Sequence, residues 1–282
     1  MSDDAFGSYL AAWREAEPQC ASAWPFLRPD ERIRFGALAA LEREWLKSVR
    51  ELGEPQVAAA KLAWWREELG CAAQGQARHP LTQALFADAR VREVPLPCWA
   101  AAVDAALSAI AASTPADFPA QCEAARPLAA ALADLETRVW FGAEADSPRA
   151  AAVTLFNVLV ADLRAFIVEV GNGRSPLPMN LLARHGLTMD ALATDGPARS
   201  AALRDQAGAL ERGLAGAATM PGPLTLFRAV CLQYDLRTLR QAMHAGQPLK
   251  ALRAPTHGLR SLLKTWRAAR TWRGLSNREA TP

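Results

Sequence analysis

The sequence has little of what builds strands, metal sites or membrane spans. It holds three isoleucines and two tyrosines in 282 residues, against long tracts of alanine and leucine. Ala and Leu lose little side-chain freedom in a helix and β-branched residues lose more, so this balance favours helix. No alternating apolar and polar stretch reads as a strand. Cys20, Cys71, Cys98, Cys122 and Cys231 are odd in number and contain no C-x-x-C pair, which points to reduced thiols. The four histidines (79, 185, 244 and 257) stand singly, with no i, i+4 pair to grip one ion, so no metal site is expected. GNGRSP (171–176) has no flanking strand and no G-K-[ST], which excludes a phosphate loop, and no nucleophile elbow marks a serine hydrolase.

Long apolar runs are missing too. The longest, AAAVTLFNVLVA, stops at Asp162 and is too short to span a bilayer. The opening MSDDAFGSYL is acidic and has no apolar core segment, unlike a signal peptide, so a cytoplasmic location is expected. Only the C-terminal end is strongly basic. Between Arg237 and Arg278 lie ten Lys or Arg and no Asp or Glu, so the net charge of +3 hides a basic C-terminal end on an acidic body.

What is present is a series of helical patterns punctuated by Pro and Gly. Pro29-Asp30-Glu31 starts a helix expected to reach Leu52, with acids well placed for its N-terminal dipole. Its apolar stripe is Leu38, Leu41, Trp45, Val49 and Leu52. Pro55 opens a second helix, VAAAKLAWWREEL, ending near Gly70. Further helices are expected at about 81–90, 97–112, 117–141, 148–170, 178–193, 197–215, 223–245 and 258–273. With no repeat of fixed period and no low-complexity linker, these patterns describe one all-α domain over 21–275. A lead-in of 1–20 precedes it and a tail of 276–282 follows.

Two segments stand out. In KLAWWREEL the adjacent tryptophans point about 100° apart, so one packs inward while the other covers a neighbour or lines a cavity. The helix at 258–275 sorts Leu259, Leu262, Leu263 and Trp266 onto one side and Arg260, Lys264 and Arg267 onto another. It is either a solvated amphipathic helix or a surface for anionic lipid or an acidic protein. In the second case Arg260, Lys264, Trp266 and Arg267 make the contact. No nucleic-acid partner is expected.

KLAWWREEL, with AALEREW before it and LETRVWFGAEA, LRAFIVEVGNGRSPLPMNLLARHGL and LFRAVCLQYDLRTLRQ after it, resembles the squalene/phytoene synthase family over about residues 20–270. The resemblance implies a single-domain isoprenoid-synthase-type helical bundle around a central cavity. It also implies an activity, the head-to-head joining of two prenyl diphosphates, in which two D-x-x-x-D motifs hold Mg²⁺. Divalent cations stabilise the charge that develops on the departing diphosphate, and hard carboxylate oxygens four residues apart suit them.

This chain departs from that pattern at both motifs. Matching the first motif helix puts Leu46 and Arg50 at the aspartate positions, and no acid-x-x-x-acid pair occurs within 42–52. Matching the second to RAFIVE keeps Arg164, replaces the aspartates by Ala165 and Glu169, and leaves Asp162 and Glu169 two turns apart. Lys47 and Arg50 would repel a cation. Unit charges ~4 Å apart interact by roughly 4 kcal/mol at an intermediate dielectric, enough to cancel a weak site. The triplets Leu163-Arg164-Ala165 and Leu177-Pro178-Met179, followed by His185-Gly186, are similar to the family's mitochondrial assembly factor for the respiratory NADH dehydrogenase.

Two functions follow. One is a non-catalytic relative that binds a lipid-like ligand or a partner protein, with no cofactor and a peripheral membrane location as the further expectations. The other is a prenyltransferase in which Arg43, Lys47, Arg50, Arg164 and Arg174 neutralise a diphosphate directly, with Mg²⁺ as cofactor. The expected substrate-binding positions are Arg43, Lys47, Arg50, Arg164, Glu169 and Arg174, with no catalytic residue assigned.

Overall fold

A computed structural model of the chain describes residues 2–111, 113–253 and 259–279. Sixteen α-helices and no strand occur among the described residues. The N-terminal part comprises α1 (Ser2–Ala16), α2 (Pro18–Ala21), α3 (Pro29–Arg50), α4 (Pro55–Ala73), α5 (Pro80–Phe86) and α6 (Ala89–Glu93). The middle carries α7 (Leu96–Ile110), α8 (Phe118–Phe141), α9 (Pro148–Arg164), α10 (Phe166–Gly171), α11 (Met179–Arg184) and α12 (Met189–Ala193). The last part is α13 (Pro197–Ala218), α14 (Leu226–His244), α15 (Pro248–Leu252) and α16 (Leu259–Glu279). The bundle is all-α, as composition and periodicity indicate.

Proline sets many of the helix starts. Seven of these helices begin on Pro, whose fixed φ suits the first helical residue and whose missing N–H is no loss there. Several expected helices are interrupted, each for a local reason. The 81–90 segment divides at Asp88, whose side chain accepts from the Arg90 amide as an N-cap and pairs with Arg34 at 2.6 Å. The 178–193 segment divides at Gly186, where φ of +60° ends a helix at little cost only for glycine. The 148–170 segment breaks at Ala165, with ψ of 7°, and there Arg253 Nε donates to the Arg164 carbonyl at 2.7 Å. A guanidinium thus takes up a carbonyl at the end of α9.

The core follows the α3 stripe. Leu38, Leu41 and Trp45 are fully buried, Val49 is half-buried, and Leu52 lies past the helix end. Trp65 is buried at 2% exposure while Trp64 is 41% exposed, the division expected of adjacent tryptophans. Residues 1–20, taken from sequence as a lead-in, contribute α1, whose Trp13 packs on Trp24 and Phe227. Phe35 stacks on Trp140 at 3.6 Å, and Trp140 meets Phe227 and Trp272 edge-on. This aromatic chain fastens both ends of the polypeptide onto α3, α8 and α14. Gly213 lets α13 approach α9, because a Cβ there would collide with the Phe156 ring.

The amphipathic reading of α16 needs correcting in its orientation. Thr265, Ala268, Ala269 and Trp272 face the core, whereas Leu262, Leu263 and Trp266 of the expected apolar stripe are about half exposed. Trp272 is the larger anchor, and its position fixes the helix rotation.

Candidate functional site

Helices α3, α9 and α14 enclose a cavity of about 510 Å³, partly covered by the α1–α2 junction. Arg43, Leu46, Lys47 and Arg50 line it from α3, Asn157, Val158 and Arg164 from α9, and Arg228, Cys231, Tyr234 and Asp235 from α14. A second cavity of about 360 Å³ lies on the far side of Arg50. Its walls are mostly apolar (Val49, Ala125, Leu128 and Leu159), and its charged lining is Arg50, Asp162, Glu169 and Arg174. Leu46, Arg50 and Val158 border both spaces.

Four charged side chains form a lattice on the wall of the smaller cavity. Arg50 Nε donates to Asp162 Oδ1 at 2.7 Å, and its Nη2 donates to the Val158 carbonyl at 3.3 Å. Arg174 Nε donates to Glu169 Oε2 at 2.7 Å, while its Nη2 reaches the Arg50 carbonyl at 2.6 Å. Asn172 Nδ2 donates to the same carbonyl at 3.1 Å. The last carbonyl of α3 is thereby held by the loop that follows α10. Burial pushes the Glu169 carboxyl up, and the bond from Arg174 pulls the other way.

Arg164 is committed elsewhere on the cavity wall. Its Nη2 donates to Asp235 Oδ1 at 2.6 Å and to Thr238 Oγ1 at 2.9 Å, its Nε donates to the Leu252 carbonyl at 3.0 Å, and its guanidinium lies over the Tyr234 ring. Asn157 Nδ2 also donates to Asp235, at 2.5 Å. Asp235 is 2% exposed, and burial raises its carboxyl pKa against the pull of Arg164. Deeper in, Arg228 binds both oxygens of Glu136 and stands 3.8 Å from Glu42. Burial, and then the neighbouring Glu136 carboxylate, push the Glu42 carboxyl well above its usual range. Burial raises Glu17 at the cavity edge as well.

The structure therefore gathers all six expected binding positions around two adjoining spaces. Arg43, Lys47, Arg50 and Arg164 line the larger, and Arg50, Glu169 and Arg174 the smaller. Lys47 has no acid within ion-pair distance among the described residues, and Arg43 has only Glu44 at 3.8 Å. Trp266 and Arg267 are exposed on α16, and the Arg270 guanidinium lies over the Trp266 ring at 4.9 Å. The side chains of Arg260 and Lys264 lie outside the described residues.

Sequence reasoning missed the contribution of α14. Arg228, Cys231, Asp235 and Thr238 recur at i, i+3, i+7 and i+10, a polar stripe on one face of α14. That spacing was the available signal.

The residues present do not fit a magnesium cluster. Octahedral Mg²⁺ asks for uncommitted carboxylate oxygens, but Asp162, Glu169 and Asp235 each hold an arginine at 2.6–2.7 Å. Among the described residues no three His, Cys, Asp or Glu side chains converge as a ligand set. No described helix is long and apolar enough to cross a membrane.

Residues 14–267 match the profile of the family described as squalene/phytoene synthase. Among solved structures, a dehydrosqualene synthase in complex with ligand superposes with a TM-score of 0.69 at 12% identity, covering 97% of this chain and 98% of that one. The squalene synthase HpnC from Alicyclobacillus acidocaldarius superposes with a TM-score of 0.52 at 18% identity, covering 100% of this chain and 96% of its own. At these identities the likeness is one of fold. No curated protein sequence matches.

Proposed function

The chain belongs to the squalene/phytoene synthase family, and we propose that it is a degenerate, non-catalytic member that binds a lipid-like ligand with an anionic head. The observation that carries this reading is the pairing of Arg50 with Asp162 and of Arg174 with Glu169 beside an apolar-walled cavity. A guanidinium at a position matched to a motif aspartate supplies positive charge directly. The neighbouring carboxylates then neutralise that guanidinium instead of holding a metal. An anionic head would compete with Asp162 and Glu169 for the two arginines, while the chain lies along Val49, Leu128 and Leu159. The resemblance of the L-R-A and L-P-M triplets and the H-G pair to a mitochondrial respiratory assembly factor also favours a role other than catalysis.

Calorimetry with farnesyl diphosphate in the presence of EDTA tests the reading. Binding is expected without Mg²⁺ and is weakened at least tenfold by Arg50→Ala. A head-to-head hydrocarbon formed from farnesyl or geranylgeranyl diphosphate with Mg²⁺ overturns it. Leu46→Asp, Arg50→Asp and Ala165→Asp together should create Mg²⁺-dependent binding if these positions share the site.

One observation favours the alternative of prenyl transfer. Lys47, without an acid partner, and Arg43 face the larger cavity, where they could take a diphosphate. In that reading Lys47→Ala abolishes product formation. In ours the ligand occupies the smaller cavity, which Lys47 does not line, and its affinity is little changed.

The exposed Leu262, Leu263 and Trp266 beside Arg267 and Arg270 suit peripheral contact with an anionic bilayer. Sedimentation with anionic vesicles should fall in a Trp266→Ala, Arg267→Glu variant. These substitutions leave the core anchor Trp272 in place.

A further inference from the structure

The sulfur atoms of Cys20 and Cys231 lie 3.1 Å apart, although 211 positions separate them in sequence. Cys20 is buried in the single turn of α2, Cys231 is half-buried on α14, and both line the larger cavity. We propose that this pair is a redox-sensitive site, forming a reversible disulfide that pins α2 against α14 at the cavity wall.

A buried cysteine usually packs as a small hydrophobe, and one such residue alone would mean nothing. Here two thiols from distant parts of the chain touch. A disulfide needs a sulfur separation of about 2.05 Å, so closure asks for a movement of about 1 Å. The moving part is small. α2 is one turn between α1 and a short 3-10 turn at Trp24–Phe26, and Ser22 at its end meets Thr265 of α16 through a hydroxyl contact of 3.1 Å.

The oxidant is a small-molecule disulfide such as oxidised glutathione. Cys231, the more accessible thiol, attacks one sulfur as its thiolate, forming a mixed disulfide and expelling one thiolate. The Cys20 thiolate then attacks the Cys231 sulfur, forming the internal bond and expelling the second. Two electrons pass to the oxidant, and the two thiol protons end on its two released thiols. The hydrogen bond with Cys231, and then burial, push the Cys20 thiol well up, so the first attack falls to Cys231 and the intramolecular step relies on the contact between the two sulfurs.

The inference does not depend on what the cavity binds, and its test needs no ligand. The reduced full-length chain is incubated with oxidised glutathione, then examined by intact mass, alkylation and peptide mapping. The expected result is a loss of two hydrogens, two of the five thiols protected, and a cross-linked peptide pair containing Cys20 and Cys231. Because the closed loop is long, Tm should rise by about 5–10 °C and return on reduction with dithiothreitol. Cys231→Ser should abolish both the cross-link and the rise. Unchanged mass, glutathione adducts that never resolve, or a cross-link through Cys71, Cys98 or Cys122 would each overturn the proposal.

Discussion

Glu42 and Glu68 are both buried carboxylates, one on α3 and one on α4, yet their surroundings treat them in opposite ways. Burial works against the charge of Glu68, but Thr82, the amides of His79 and Arg78, and the Arg78 guanidinium all donate to it and hold its carboxyl below the usual range. Glu42 has Arg228 only at 3.8 Å, Glu136 close by, and an Oε1 atom with no hydrogen-bond partner among the described residues. Glu68 is a rivet between α4 and the start of α5. Glu42 is a poorly satisfied carboxyl at a cavity wall, where burial and Glu136 favour its protonated form. The WWREEL motif is thus largely architectural, whereas the less well satisfied carboxyl lies at the cavity.

The hardest test of this division is Arg164, a cavity residue bonded like a rivet. Arg164→Ala strands Asp235 without its cation and should cost about 4 kcal/mol in urea unfolding. A smaller loss would place Arg164 among the groups a ligand can recruit. Glu68→Ala should cost about 3 kcal/mol, because it leaves two amides and a threonine hydroxyl without their acceptor. The two carboxylates should also give pH slopes of opposite sign. Glu68, depressed in the folded state, contributes stability that is present above the usual 4.5 and lost as pH falls through its lower folded value. Glu42, raised, binds its proton more tightly when folded, so stability falls as pH rises from 4.5 towards its folded value. Glu42→Gln should remove that slope, so the variant gains stability relative to the unsubstituted chain as pH rises above 4.5. If the Glu42 and Glu68 variants shift the pH profile in the same direction, the contrast is wrong. Least of all, Trp266→Ala should alter stability by no more than about 0.5 kcal/mol, since the core holds α16 by Trp272.

Much of the scaffold was legible from the residues. Pro29 and Pro55 opened their helices where expected, the Leu38, Leu41 and Trp45 stripe is core, and Trp64 and Trp65 divide between surface and interior. The breaks at Ala165 and Asp88 were less legible, because each depends on an arginine from elsewhere: Arg253 at the first and Arg34 at the second. The rotation of α16 was misjudged because a stripe of leucines looks like a core face until the larger Trp272 claims it.

The sequence by itself determined the helical class, most boundaries, the family pattern and the presence of Leu, Arg and Ala at positions 46, 50 and 165. These are local properties: proline geometry, helix propensity and residue identity at fixed spacing. Only the tertiary structure decided that Arg50 meets Asp162, that Arg164 is taken by Asp235, that Glu42 is left poorly satisfied, and that Cys20 touches Cys231. Each joins helices far apart in the chain. Such a pairing depends on how the helices are rotated and packed, a choice made by the whole core and written in no single segment.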